Sequence, residues 1–103
     1  MSGKIAILPQ EARIVRAILR RHLPAGFRAF VFGSRADGKA KPLSDLDLSL
    51  EGPAPLGLAI LAQLADAFDE SPLPWKVDLV DRALASEAFG NLIDAHKLTF
   101  ELD

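Results

Sequence analysis

The sequence predicts a single α/β (α+β) domain in which helices pack on a small mixed β-sheet. The chain has 103 residues, close to the usual size of one hydrophobic core. Half of its residues are hydrophobic and a quarter are charged, as is ordinary for a globular protein. Its periodic segments follow the order helix, strand, strand, helix, strand, helix, and no linker divides residues 1–103.

The first helix is predicted to begin at Pro9, because a proline does not need its missing N–H in the first helical turn. Apolar residues recur at helical spacing as far as Leu19, and Pro24 with Gly26 ends the helix. Residues 27–32 are rich in aromatic and β-branched side chains, which predicts a short buried strand.

The middle of the chain contains a turn, a strand and a second long helix. Residues 33–42 are predicted to form the turn, with room for a short helical segment. Residues 45–50 alternate between polar and apolar, which indicates a half-buried strand. Residues 56–68 are predicted to be a helix that is apolar on nearly every side. Such a helix is covered either by the sheet and the last helix or by another chain, and the sequence leaves both open.

The last third of the chain predicts a third strand at residues 75–80 and a final helix at 83–96. Ser86 falls inside that predicted helix and is therefore not well placed as its N-cap. Residues 97–102 can add a short edge segment to the sheet. Trp75, at the start of the third strand, is either a residue of the core edge or an anchor in an interface.

Composition excludes several classes of function. The formal net charge of -2 predicts no strong general affinity for nucleic acid. The absence of cysteine excludes disulfides and thiolate metal sites. The N-terminal apolar run is too short for a signal peptide, and no stretch is long enough to cross a membrane. We therefore expect a soluble, cytoplasmic protein without a membrane partner.

Three aspartates lie in the predicted strands. Asp45 and Asp47 are two residues apart, so their side chains project from the same face of the strand. Carboxylates held so close repel each other unless a cation lies between them, and Mg²⁺ prefers such oxygen ligands. Asp78 provides a third carboxylate if its strand lies beside theirs. Taken alone, the pair also fits the solvated face of an amphipathic strand.

A glycine-containing turn precedes these aspartates. Gly33 ends a predicted strand, where a residue without Cβ lets a ligand approach the backbone closely. The amides that follow, together with the Ser34 hydroxyl, can hold phosphate oxygens, and Arg35 can reach a phosphate. Lys39 and Lys41 are better interpreted as a solvated loop. The turn and the three aspartates together predict a site for a metal and a nucleotide.

Gly33-Ser34, followed by Asp45-x-Asp47 and a later strand residue Asp78, resembles the nucleotidyltransferase superfamily typified by DNA polymerase β. The short chain resembles the minimal nucleotidyltransferases, often encoded beside a HEPN-domain toxin as a toxin–antitoxin pair. The resemblance implies a polymerase β-like nucleotidyltransferase fold. It also implies that Gly33 and Ser34 bind the triphosphate, that the three aspartates are catalytic metal ligands, and that Asp78 helps to activate the incoming hydroxyl. One departure is Asp37, because family members often carry a basic residue there.

By the same resemblance, the activity is transfer of AMP from ATP, with two Mg²⁺ ions, to a tyrosine hydroxyl of the HEPN toxin, which is thereby neutralised. Larger relatives have a second domain that holds the base or the acceptor, so a partner protein, or a homo- or hetero-oligomer, is expected here. A second hypothesis is a non-catalytic antitoxin that masks its partner by complex formation. A third, transfer to a small molecule, is disfavoured by the missing second domain.

Overall fold

The computed structural model describes residues 4–103, and residues 1–3, with which the predicted domain begins, lie outside the described part. The helices are α1 (Pro9–His22), α2 (Ser34–Asp37), α3 (Leu58–Asp69) and α4 (Glu87–His96). The strands are β1 (Arg28–Phe32), β2 (Leu46–Glu51), β3 (Val77–Asp81) and β4 (Leu98–Phe100). A short 3₁₀ helix, Arg82–Leu84, connects β3 to the segment before α4.

The four strands form one mixed sheet in the order β3-β2-β1-β4. Strand β1 is antiparallel to both β2 and β4, whereas β2 and β3 are parallel. Helix α3 is the crossover that the parallel pair requires. The predicted class, helices on a small mixed sheet, is therefore confirmed, and so is the edge segment near residue 100.

One face of the sheet forms the main core. The three leucines of β2 are fully buried and pack in one cluster with apolar residues of α1 and α3. Burying a leucine side chain stabilises the fold by about 2 kcal/mol. The members of this cluster from β2, α1 and α3 are Leu46, Leu48, Leu50, Val15, Leu19, Leu64 and Phe68.

Helix α4 packs on the opposite face of the sheet. Phe89 of α4 meets Phe32 of β1 edge to face, with ring centroids 5.9 Å apart. Just after α4, the Nζ of Lys97 lies 4.4 Å from the ring centroid of Phe30 and 3.0 Å from a carboxylate oxygen of Glu51. Of the two alternatives left open for α3, cover by the sheet together with the last helix does not fit this arrangement, and Leu58 of α3 is 82% exposed.

Helix α3 begins at Leu58, two residues later than its apolar pattern predicts. Gly57, with φ +94°, is its N-cap residue. The backbone N–H groups of Leu56 and Gly57 both donate to Oδ2 of Asp81, at 2.8 and 3.2 Å. A carboxylate at the end of β3 therefore fixes the start of α3, and a contact of this kind is not visible in local sequence.

Asp81→Ala is expected to lower the free energy of unfolding by roughly 2–3 kcal/mol, because Leu56 N–H is buried and loses its charged acceptor. Asp81→Asn keeps an oxygen for both N–H groups and is expected to lower it by about 1 kcal/mol or less. Urea unfolding of the two variants measures the difference. Equal losses would contradict the assigned hydrogen bonds.

The final helix is shorter than predicted. Residues 82–84 form the 3₁₀ helix, and α4 begins only at Glu87. The Oγ of Ser86 accepts a hydrogen bond from the backbone N–H of Phe89 at 3.1 Å, so Ser86 is the N-cap. The prediction that Ser86 is poorly placed as a cap is therefore wrong, because the apolar residues before it belong to a separate turn.

Burial distinguishes between the two interpretations of Trp75. Trp75 is 7% exposed and belongs to the core cluster, so the structure supports its interpretation as a core residue. Among residues 4–103, no helix combines the length and the hydropathy needed to span a bilayer.

Candidate active site

Asp47 and Asp78 lie side by side on the face of the sheet opposite the main core. They are register partners in the parallel pair of β2 and β3. The neighbours of Asp47 in β2, Leu46 and Leu48, point to the other face and are fully buried there. Asp47 is half-buried and Asp78 is exposed, so this end of the face is open to solvent. The condition set by the sequence, that the strand of Asp78 lie beside that of Asp47, is met.

The two carboxyl groups perturb each other. The pKa of Asp47 is raised from 3.8 to about 6, first because burial disfavours its charged form and then because of repulsion by Asp78. A hydrogen bond with the Asp78 side chain and the charge of Asp45 raise this pKa further. Such crowding of like charges is typical of a site that accepts a cation.

Asp45 is less closely integrated than the sequence suggests. Strand β2 begins at Leu46, so Asp45 is an exposed residue just before the strand, not part of the strand itself. In the part of the chain that the structure describes, no three acidic or histidine side chains are gathered tightly enough to hold one ion together. The geometry therefore unites Asp47 with Asp78 and leaves Asp45 at the margin, where its charge still acts on Asp47.

Gly33 lies directly against Asp47. It has φ +74° and ψ -154°, a backbone conformation that is essentially restricted to glycine. A Cβ built on Gly33 would overlap Oδ2 of Asp47 and would lie 3.3 Å from its Cγ. The carbonyl of Gly33 accepts from the N–H groups of Ala36 and Asp37, so α2 starts at Ser34 immediately after it. Ser34 is thus placed at the edge of the carboxylate site.

Arg35 is not brought to the carboxylates. Its side chain is buried, with 5% exposed, and donates to three backbone carbonyls. The acceptors are the oxygens of Ser44 at 2.9 Å, Ala6 at 2.5 Å and Pro42 at 3.1 Å. The guanidinium also lies over the Trp75 ring, 4.5 Å from its centroid. These contacts direct the Arg35 guanidinium into the loop, whereas the sequence analysis expected it to reach a phosphate.

The sequence analysis did not predict the pair of aromatic side chains, Phe32 and Phe89, beside Asp47. Phe32 is the register partner of Asp47 on β1, and Phe89 of α4 packs against Phe32. Strand alternation could have placed Phe32 on the face of Asp47, but the contact with Phe89 depends on the position of α4. Asp37 is exposed and accepts from the Lys39 N–H at 3.0 Å. Its observed contact is within the turn.

The sequence and the fold are similar to those of known proteins. The model of the family described as "Nucleotidyltransferase domain" matches residues 12–98. A protein of Haemophilus influenzae named "Probable protein adenylyltransferase MntA" is 43% identical over 91 residues, which are 88% of this chain and 79% of that protein.

Solved structures of similar fold include toxin–antitoxin complexes. One, a toxin–antitoxin with AMP-PNP, superposes with a TM-score of 0.73 at 24% identity, covering 87% of this chain and 72% of the other. Another, the toxin–antitoxin MntA-HepT, has a TM-score of 0.59 at 21% identity, covering 87% of this chain and 68% of the other. At these identities the likeness establishes the fold.

Proposed function

The chain belongs to the nucleotidyltransferase domain family, and from this premise we propose that it transfers AMP from ATP to a hydroxyl group of a partner protein. The observation that carries the proposal is the pairing of Asp47 with Asp78 directly against the Gly33 turn. The proposed acceptor is a tyrosine of a HEPN-domain toxin, which binds this chain in the cytoplasm as a hetero-oligomer and is neutralised. The named adenylyltransferase relative and the toxin–antitoxin complexes support this direction.

The donor set suits Mg²⁺, of which we expect two ions. Asp47 and Asp78 offer only carboxylate oxygens, and their mutual repulsion, seen in the raised pKa of Asp47, is removed by a divalent cation. We propose Asp47 and Asp78 as the ligands that lie together, and Asp45, at the margin of the site, as a further ligand. When bound, the metal neutralises the charge that develops on the reacting phosphates.

Each residue of the site then has a role in the reaction. The acceptor hydroxyl oxygen forms a bond to the α-phosphorus of ATP, the bond from that phosphorus to the bridging oxygen breaks, and pyrophosphate leaves. Asp78, being exposed, is assigned to orient the hydroxyl and to accept its proton before passing it to water. Gly33 and Ser34 are assigned to hold the triphosphate, because a residue without Cβ lets a ligand approach the backbone closely, and Gly33 lies directly against Asp47. Arg35 is given no contact with the nucleotide.

Label transfer tests the proposal. The protein is incubated with Mg²⁺, its co-encoded partner and ATP labelled at either the α- or the γ-phosphate. We expect label on the partner only from the α position, because AMP retains that phosphorus. Asp45→Asn with Asp47→Asn is expected to abolish the transfer. Asp66→Asn with Asp69→Asn, a matched change at exposed positions of α3, is expected to leave it intact.

Other results would redirect the proposal. Label that persists in the Asp45→Asn/Asp47→Asn variant would contradict the assignment of the carboxylates. Absence of label, with the partner still bound and inhibited, would replace the enzyme by an antitoxin that masks its partner. Label on a tyrosine-to-phenylalanine variant of the partner would contradict the proposed acceptor.

A further inference from the structure

Arg35 is a buried cation without a carboxylate partner among residues 4–103. Burying a charge is unfavourable unless hydrogen bonds compensate for the lost water. Here each of the three guanidinium nitrogens donates to a backbone carbonyl, and the cation also lies over an aromatic ring. These four contacts fix the orientation of the Arg35 side chain. They also fix the segments that make the contacts.

Those segments are the ones that carry the catalytic groups. Ser44, one acceptor, directly precedes Asp45 and lies two residues before the start of β2. Trp75, which stacks on the guanidinium, lies three residues before Asp78. Arg35 itself follows Ser34, the first residue of α2. The Arg35 side chain, which directly follows Gly33 and Ser34, therefore contacts the segment that leads into β2 and the segment that leads into β3.

The N-terminal segment completes the arrangement. Ala6 accepts from the Arg35 guanidinium, and its own N–H donates to the Arg35 carbonyl at 2.8 Å. Pro42 contributes the remaining carbonyl, so the loop before β2 is held at two points. Arg35 is thus the junction of this segment, the loop and the start of β3.

We propose that Arg35 is a positioning residue that sets the separation between the Gly33–Ser34 turn and the carboxylates of Asp45, Asp47 and Asp78. It does so through the backbone and does not touch the nucleotide. The proposal rests on the proposed function for its kinetic consequence. A planar guanidinium can donate in three directions and stack at the same time, whereas a lysine ammonium is a point charge. Lysine therefore cannot replace it.

Kinetics of Arg35→Lys and Arg35→Met test the role. A misplacement of about 1 Å costs about a hundredfold in rate, so we expect kcat for label transfer to fall by a factor of about 10–100 in both variants. KM for ATP is expected to change by less than about threefold, since no phosphate contact is lost. A phosphate-binding arginine would give the opposite result, a raised KM that lysine partly restores.

Trp75 supplies a readout that does not depend on activity, because it is the only tryptophan of the chain. Loss of the stacked guanidinium is expected to change its fluorescence emission, and hydrogen exchange is expected to accelerate in residues 39–46 in both variants. Arg16 provides the matched control, since its Nε donates to the Glu101 carbonyl at 3.0 Å and its guanidinium lies over Phe100. Arg16→Lys and Arg16→Met are expected to leave kcat and Trp75 emission unchanged.

The outcomes separate this inference from the proposed function. A wild-type protein without transfer activity would overturn the proposed function, whereas unchanged Trp75 emission and exchange in the Arg35 variants would overturn the positioning role. Should Arg35→Met fail to fold, Arg35→Lys carries the test, because it keeps the charge and the stem. If both fail to fold while the Arg16 variants fold, Arg35 stabilises the whole domain and the proposal is wrong.

Discussion

Asp47→Asn is expected to reduce AMP transfer by about a thousandfold or more and, in the same molecule, to stabilise the metal-free protein near neutral pH. Activity falls because the half-buried carboxylate between Gly33 and Asp78, which we propose as a metal ligand, loses its charge. Stability rises because burying a neutral amide costs less than burying a carboxylate, and because an amide is not repelled by Asp78 or Asp45. A residue whose removal improves the fold but destroys the chemistry is typical of a catalytic position.

The stabilisation depends on pH in a direction fixed by the pKa of Asp47. This pKa is raised to about 6 in the folded protein from an ordinary value of 3.8, so the folded state holds the proton more tightly. The contribution of Asp47 to the free energy of unfolding is therefore fully present below its unfolded pKa. It is lost as the pH rises through about 6. Allowing for solvent screening of a half-buried group, the advantage of Asp47→Asn over wild type grows by about 1–2 kcal/mol between pH 4 and pH 8.

Urea unfolding of metal-free wild type and Asp47→Asn across this pH range measures the effect, and Asp66→Asn on the exposed surface of α3 is the control. Added Mg²⁺ is expected to raise the melting temperature of the wild type and not that of the variant. A stability difference that does not change with pH would contradict the repulsion between Asp47 and Asp78.

Gly33→Ala is expected to lower the free energy of unfolding by about 3 kcal/mol or more and to reduce transfer at least about a hundredfold. Two effects add. The backbone of Gly33 has a positive φ that an alanine adopts only with strain, and the new Cβ would overlap Oδ2 of Asp47. The carboxylate then has to move away from Gly33, so the site is disturbed together with the fold.

Gly38→Ala tests backbone strain in the absence of a steric overlap. Gly38 has φ +84° in the left-handed region, and nothing lies within 4 Å of an added Cβ. The expected loss of stability is about 1 kcal/mol, with transfer largely retained. Equal losses of activity in the two variants would show that the overlap with Asp47 does not matter. Chemical unfolding and label transfer on the same samples provide both quantities.

Local patterns predicted the elements well where neighbours along the chain decide the structure. Strand β2 follows from its alternation, because its three leucines need one buried face whatever lies above them. Helix α1 begins at Pro9 as predicted, because the first turn is set by proline geometry. The predictions failed at the starts of α3 and α4. There a distant carboxylate, Asp81, and a separate turn before Ser86 determine where the helix begins.

For the residues of the candidate site, too, local sequence predicted some features and distant contacts decided others. Asp47 and Asp78 were recognisable from spacing, but their meeting depended on strand order, which periodicity does not encode. Arg35 looked like a phosphate ligand because of its place beside Ser34. Its acceptors lie 7, 9 and 29 residues away, and no local pattern indicates which carbonyls a buried arginine will meet.

The sequence by itself determined which side chains of each element are apolar, where the glycine turn lies and which residues carry the carboxylates, because these are properties of neighbouring residues. Only the tertiary structure decided that β3 lies parallel to β2, that α4 covers the face opposite α3, and that Arg35 is directed inward. These features depend on which distant groups can form hydrogen bonds with buried backbone groups and with the buried guanidinium. Such pairs form only when the whole chain folds around one core.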